Sequence, residues 1–158
     1  MKKLATMLSA AILFAACGGG KNDNAIAPDP YDATKKAESG NPSYDPNRGE
    51  GKFTKVDVGA TLDAAMATTG EKTFGVKCSS CHKLSDEKLV GPGWKGVTGR
   101  HTPEWIMNFI TNTDAMLTKD PKAQAQLEIC LVRMPNQNLG DDEARALYEF
   151  MRKNDGIK

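Results

Sequence analysis

The stretch that most constrains this chain is Cys78-Ser79-Ser80-Cys81-His82. Two cysteines separated by two residues and followed at once by histidine is the spacing for covalent haem attachment. Each thiol adds to one vinyl group, so the two sulfurs must reach neighbouring corners of the macrocycle. The adjacent histidine is then carried beneath the iron, where its imidazole serves as proximal ligand. Two other chemistries use the same cysteine spacing: a thioredoxin-like redox dithiol and half of a zinc site. Zinc needs two more ligands at similar local spacing, and Cys17, Cys130 and His101 are scattered singly. A dithiol usually follows a strand in a βαβ unit, and no such pattern surrounds Cys78. Haem leads on spacing, with both alternatives open.

The 158 residues suffice for one domain with appendages. Lys2 and Lys3 precede an apolar run from Leu4 to Ala16, too short to span a bilayer and suited to a signal segment. Phe14-Ala15-Ala16-Cys17 resembles a bacterial lipobox, with phenylalanine where leucine is usual. The expectation is a lipoprotein signal peptide over 1–16 and a lipidated Cys17, whose several acyl chains give stable anchoring. An ordinary signal cleaved near Ala16 is the plainer alternative. Residues 17–57 read as a linker: Gly18-Gly19-Gly20, then Pro28, Pro30, Pro42 and Pro46 among polar residues, with too little to bury. Its most polar part, about 33 residues, spans roughly 30 Å as a flexible chain. Tyr31 and Tyr44 read as isolated exposed residues, and Phe53 to Val58 as an extended segment along a domain edge.

Residues 58–158 form the expected domain, all-α by periodicity. In Leu62 to Cys78 the positions Leu62, Ala65, Met66, Thr69, Thr73 and Phe74 recur at helical spacing, and Gly70, Phe74 and Cys78 share a face. Thr102-Pro103-Glu104 and Asp120-Pro121 are cap-plus-proline helix starts. The first launches Trp105, Ile106, Phe109 and Ile110 inward; the second puts Ala123, Leu127, Cys130 and Leu131 on one face. A last helix is expected from Asp141 to Lys153, acidic at its start and basic at its end.

Gly70-x-x-x-Phe74-x-x-x-Cys78-x-x-Cys81-His82 resembles the first helix of class I cytochromes c, and the resemblance extends over roughly residues 60–155. It implies a small fold of about 4–5 helices around one covalently attached haem c, preceded by a disordered tether. In that family the glycine lies where the first and last helices cross, here near Leu147 and Tyr148, and the aromatic, Phe74, packs on haem. Gly91-Pro92-Gly93-Trp94 is similar to the family's loop in which the proline carbonyl accepts the proximal histidine's ring N–H. Such a bond fixes the tautomer and raises ligand basicity. Trp94 stands where leucine is more usual, as a haem contact. The family's distal methionine, followed by proline, corresponds to Met134-Pro135, so the implied iron ligands are His82 and Met134. Met116 is the second choice; Met66, Met107 and Met151 read as core. His101 reads as a surface histidine outside a helix start, Trp105 as core with an indole N–H free for a haem propionate, and Cys130 as a small buried residue.

The resemblance implies a single-electron shuttle rather than an enzyme. Family members acquire haem outside the cytoplasm, which agrees with the export signal. The expected place is the periplasmic side of a bacterial membrane, held by lipid. Expected partners are redox proteins: a quinol-oxidising complex upstream, and a terminal oxidase or nitrogen-oxide reductase downstream. From Val58 on there are thirteen Lys/Arg and thirteen Asp/Glu, a balance that argues against nucleic acid; no small-molecule substrate is expected. Lys77, Lys83, Lys88 and Lys95 gather around the haem motif, a modest positive collar for an acidic partner. The competing functional reading is a haem enzyme or gas or peroxide sensor whose sixth iron position opens.

Overall fold

The structure is a computed structural model that describes residues 43–158; the signal segment, Cys17, Tyr31 and the linker up to residue 42 lie outside the described residues. Six helices follow in order: α1 (Ala64–Lys77), α2 (Val97–Arg100), α3 (Pro103–Thr111), α4 (Thr113–Lys119), α5 (Pro121–Cys130) and α6 (Asp141–Asn154). Strands are absent among the described residues, so the cysteine pair is not delivered by a βαβ unit. The count exceeds four to five because α2 is a single turn and the α3–α4 run breaks at Asn112. None of these helices is long and apolar enough to cross a membrane.

Each main start follows local chemistry. Asp63 caps α1 by accepting the Met66 N–H, Thr102 caps α3 by accepting the Trp105 N–H, and Asp120 caps α5 by accepting the Ala123 N–H; the latter two are followed by proline at the first helical position. Gly140 has no capping side chain, and Glu143 reaches back to its N–H at 3.1 Å instead.

The frame of the domain is the crossing of α1 and α6. Ala67, Gly70 and Phe74 form the buried stripe of α1. A Cβ at Gly70 would overlap the carbonyl of Ala146 and stand 2.8 Å from Phe150 Cβ, so only glycine permits this approach. The stripe differs from the expected one: Ala65 and Met66 are exposed, Met66 at 39%. The contact at Gly70 is with Ala146 and Phe150, one residue before Leu147 and two after Tyr148. On α6 itself, Glu149 is fully buried and ion-paired to Arg145 at 2.7 Å and Arg152 at 2.9 Å; Arg152 also donates to the carbonyl of Gly59, tying α6 to the segment before α1.

Residues 43–57, expected as linker, are packed on the domain. Asn108, fully buried in α3, donates to the carbonyls of Arg48 and Phe53 and accepts the Phe53 N–H, each at 2.9 Å. Tyr44 is not an isolated exposed side chain: its hydroxyl donates to Asp120. Met116, also fully buried, lies beneath Gly49 and accepts the Glu50 N–H at 3.0 Å. Phe53, Val56 and Val58 turn half-buried faces to the core. The order of this strap comes from α3, α4 and the start of α5, far away in sequence.

Candidate functional site

The last turn of α1 delivers the cysteines. The Cys78 N–H donates to Phe74 O, and the Cys81 and His82 N–H groups donate to Cys78 O at 3.0 Å, so the motif continues the helix as a tight turn. Cys78 is buried, and desolvation pushes its thiol up to about 11. Cys81 is half-buried.

Backbone bonds tie the loop 83–95 to this turn: the Gly91 N–H reaches Cys81 O at 2.9 Å and the Trp94 N–H reaches Lys83 O at 2.9 Å. They bring the Pro92 carbonyl to 2.8 Å from His82 Nδ1. An acceptor at Nδ1 places the ring proton there and leaves Nε2 with its lone pair. Burial lowers the pKa of His82 despite that bond, keeping the imidazole neutral. Glycine at 91 is required, because a Cβ would collide with the His82 ring.

Behind the ring stands an aromatic wall. Trp94, 6% exposed, packs edge-on to Phe74 at 4.7 Å between centroids and lies 5.6 Å from His82. Phe74 also meets Phe150 at 5.5 Å. Phe74 thus backs Trp94 from the core, and it is Trp94 that lines the cleft.

That cleft has two adjoining halves, each with about 520 Å³ of empty space that includes open solvent. His82, Pro92, Phe109, Gln126 and Met134 border both. One half runs past Trp94, Ile106 and Ile110 to Arg100 and His101; the other runs past Leu117 and Leu127 to Cys81 and Cys130. The structure therefore brings Cys81, His82, Pro92, Trp94 and Met134 together around one space. Arg100 and Arg133 line it, and no carboxylate does.

Met116 is sealed under the strap and does not line the cleft's shared border with Met134. Trp105 is buried, but its indole N–H donates to Asp120 at 3.0 Å and is already satisfied. His101 is buried at 7% exposure, not on the surface, because α3 turns inward at Thr102 and stacks Trp105 on the imidazole at 3.9 Å. Cys130 is half-buried in the cleft wall, where burial pushes its thiol up. Phe109, Gln126 and Arg100 belong to the walls although sequence reasoning gave them no role there. Gln126 was detectable only as the neighbour of Leu127 on α5.

The donor set fits a covalently held iron porphyrin: a thiol at one end, a neutral imidazole with Nε2 left over, a thioether in the same lining, and apolar walls. Cationic lining without carboxylates suits a macrocycle bearing acidic substituents. For zinc, by contrast, no three His, Cys, Asp or Glu side chains come together among the described residues.

A family model described as Cytochrome c matches residues 67–155. Among solved structures, a cytochrome c from Rhodothermus marinus is 33% identical, with 66% of this chain and 90% of that chain covered and a TM-score of 0.64. An engineered cytochrome c from the same organism matches at 32% identity over the same shares, TM-score 0.64. Its form bound to a carbene intermediate matches at 32% identity and TM-score 0.61, again over 66% of this chain and 90% of that one.

Proposed function

The chain belongs to the cytochrome c family, and from that premise we propose that it is an exported, lipid-anchored carrier of single electrons whose haem iron is ligated by His82 and Met134. The family's covalently bound haem c supplies a one-electron iron couple. Cys78 and Cys81 are the thiols that would hold it. One observation carries the ligand reading: Nδ1 of His82 is held 2.8 Å from Pro92 O, leaving Nε2 for iron, while Met134 borders both halves of the same cleft. The hydrogen bond makes the imidazole a stronger donor. The thioether is soft and neutral, favouring ferrous iron and a higher potential than two histidines give.

If His82 and Met134 both held the iron, the chain itself would occupy the positions a substrate could take, as a relay rather than a catalyst requires. Cys17 would carry the lipid. The donor would be a quinol-oxidising complex, and the acceptor a terminal oxidase or nitrogen-oxide reductase. Of the collar that would meet an acidic partner, Lys77 pairs with Glu143 at 3.0 Å and Lys83 with Glu87 at 2.7 Å. Docking therefore rests more on Lys88 and Lys95 than on the four together.

The visible spectrum of the exported protein tests the ligand reading. Ferric protein is expected to show the far-red methionine-to-iron band, lost in Met134→Ala and kept in Met116→Ala. Persistence of the band without Met134 would sink it. For the anchor, Cys17→Ser is expected to move the protein from the membrane to the soluble fraction.

One observation favours a second reading. Met134 lies in the helix-free segment 131–140, where Leu131 is 84% and Val132 54% exposed, and an engineered relative was solved bound to a carbene intermediate. A loop this open could release the sixth position to a small ligand. Rapid CO binding by the reduced protein would favour this reading over the closed relay.

A further inference from the structure

Trp105 lines the half of the cleft that runs from His82 to Arg100. Its buried indole lies nearly parallel to Phe109, 5.2 Å away between centroids, and Phe109 borders both halves. The indole Nε1–H donates to Oδ2 of Asp120 at 3.0 Å, and that same oxygen accepts the hydroxyl of Tyr44. Asp120 is fully buried, and its other oxygen takes the Ala123 N–H as the cap of α5. Tyr44 is half-buried on the strap. One carboxylate oxygen therefore joins a ring in the cleft wall to a ring at the molecular surface.

Holding the strap does not require this arrangement. Lys122 already donates to Pro46 O at 3.2 Å, and Thr102 donates to Asn47 O. What sets the pair of rings apart is chemistry, because indole and phenol are the aromatic side chains that give up one electron most readily. A phenol that loses an electron also sheds its proton, so it needs an acceptor at its oxygen. Asp120 stands there. Burial, and then the bond to Asp120, pushes the Tyr44 hydroxyl pKa up, so the ring keeps its proton until it is oxidised. The indole can pass an electron without losing its N–H, and the carboxylate beside it offsets the transient positive charge.

We propose that Trp105, Asp120 and Tyr44 form a path that carries one oxidising equivalent from the haem to the surface, leaving a neutral tyrosyl radical at Tyr44. The substrate class is a peroxide, so the inference rests on the reading in which the sixth iron position opens. A hydrogen peroxide molecule at iron takes two electrons and two protons, its O–O bond breaks to give two waters, and the haem is left two electrons short. Tyr44 returns one of them: the electron passes through the indole of Trp105, and the hydroxyl proton moves to Asp120 Oδ2. A one-electron reductant at the surface, such as ascorbate, then gives Tyr44 its electron while Asp120 returns the proton. A second passage along the same path fills the haem.

Holo Met134→Ala is the host for the test, so that peroxide reaches iron whether or not the parent loop opens. In samples frozen after mixing with hydrogen peroxide, electron paramagnetic resonance is expected to show a tyrosyl radical whose lines narrow when ring-deuterated tyrosine is incorporated. Trapping with a nitroso compound and peptide mapping should place the adduct on Tyr44. Adding Asp120→Asn keeps a capping side chain on α5 but removes the proton acceptor, and should lower the tyrosyl yield several-fold at matched haem absorbance. Adding Tyr44→Phe should remove the tyrosyl signal and leave the trapped adduct on Trp105. An adduct on Tyr31 or Tyr148 in place of Tyr44, or a yield unchanged by Asp120→Asn, overturns the proposal. So does a Met134→Ala protein inert to peroxide. A parent protein inert to peroxide beside a reactive Met134→Ala counts against the opening site and leaves the path standing.

Discussion

Gly70→Ala and Gly75→Ala, five residues apart on α1, should shift stability in opposite directions. A helical glycine costs about 1 kcal/mol relative to alanine, so propensity alone makes both changes stabilising. Geometry separates them. At position 70 the new Cβ would overlap the Ala146 carbonyl oxygen, with the Ala146 carbonyl carbon at 2.6 Å and Phe150 Cβ at 2.8 Å. Two of these three atoms are backbone of α6, which no rotamer change can move. The helices must part, loosening the Phe74–Phe150 contact as well. Overpacking of this kind costs about 1–3 kcal/mol, and the upper end applies where the obstacle is main chain. Subtracting the propensity gain leaves a loss of about 2 kcal/mol. For a domain of this size that is roughly 8–16 °C in Tm. At position 75 nothing lies within 4 Å of the added Cβ, so the gain of about 0.5–1 kcal/mol stands. Thermal unfolding of ferric holo protein, followed by far-ultraviolet circular dichroism with haem content matched by absorbance, compares them. A Gly70→Ala protein melting at or above the parent would refute the crossing argument, as would two variants that shift together.

Asn108→Ala removes three hydrogen bonds that bind the strap. A loss of about 2–4 kcal/mol is expected, with the Phe53 amide becoming one of the fastest-exchanging in the segment by hydrogen exchange. Glu143 is held below the usual carboxylate range, first by the Gly140 N–H and then by Lys77. Its contribution is therefore full above the ordinary value of 4.5 and is lost as pH falls through the lowered folded-state value. Urea midpoints measured against pH should show Glu143→Gln less stable than the parent at neutral pH, the two converging in acid.

What the sequence made legible was whatever depends on neighbours along the chain. The Cys78 to His82 spacing, the proline loop ten residues on and the cap-plus-proline starts of α3 and α5 are local, and each appears where its pattern put it. The buried stripe of α1 was placed only in part: Gly70, Phe74 and Cys78 do share the buried face, but Ala67 was missed, while Ala65 and Met66 keep the helical period on the solvent side. Alanine and threonine carry too little hydropathy to fix a helix's rotation. His101 and Met116 were misread for the opposite reason: long-range partners decide them. The histidine stacks on Trp105 and the methionine lies under a strap more than sixty residues upstream. Trp105 likewise lost its free indole N–H to Asp120, whose role as the α5 cap was visible while its second and third bonds were not.

The two sides of the cleft differ in how firmly the chain holds them, and this bears on what the site can do. His82 is over-determined. Its N–H, its Nδ1, the Gly91 N–H behind it and the Trp94 N–H beyond are all bonded within the 78–95 loop, and Trp94 and Phe74 back the ring from the core. Met134 has no such frame. Leu131 leaves α5 in the left-handed region at φ 60°, the segment is mostly exposed, and Arg133 holds it through an ion pair to Asp114 that is itself solvent-facing. Exposed pairs of that kind are worth little. Opening therefore starts at the methionine side, the low-stability end of the site. In the proposed ligation, the thioether bond orders the loop as much as the loop presents the thioether. Closed relay and opening site then share one fold and one proximal histidine. They differ by the strength of a single contact, so substitutions that stiffen 131–140 should suppress CO binding without touching the His82 side.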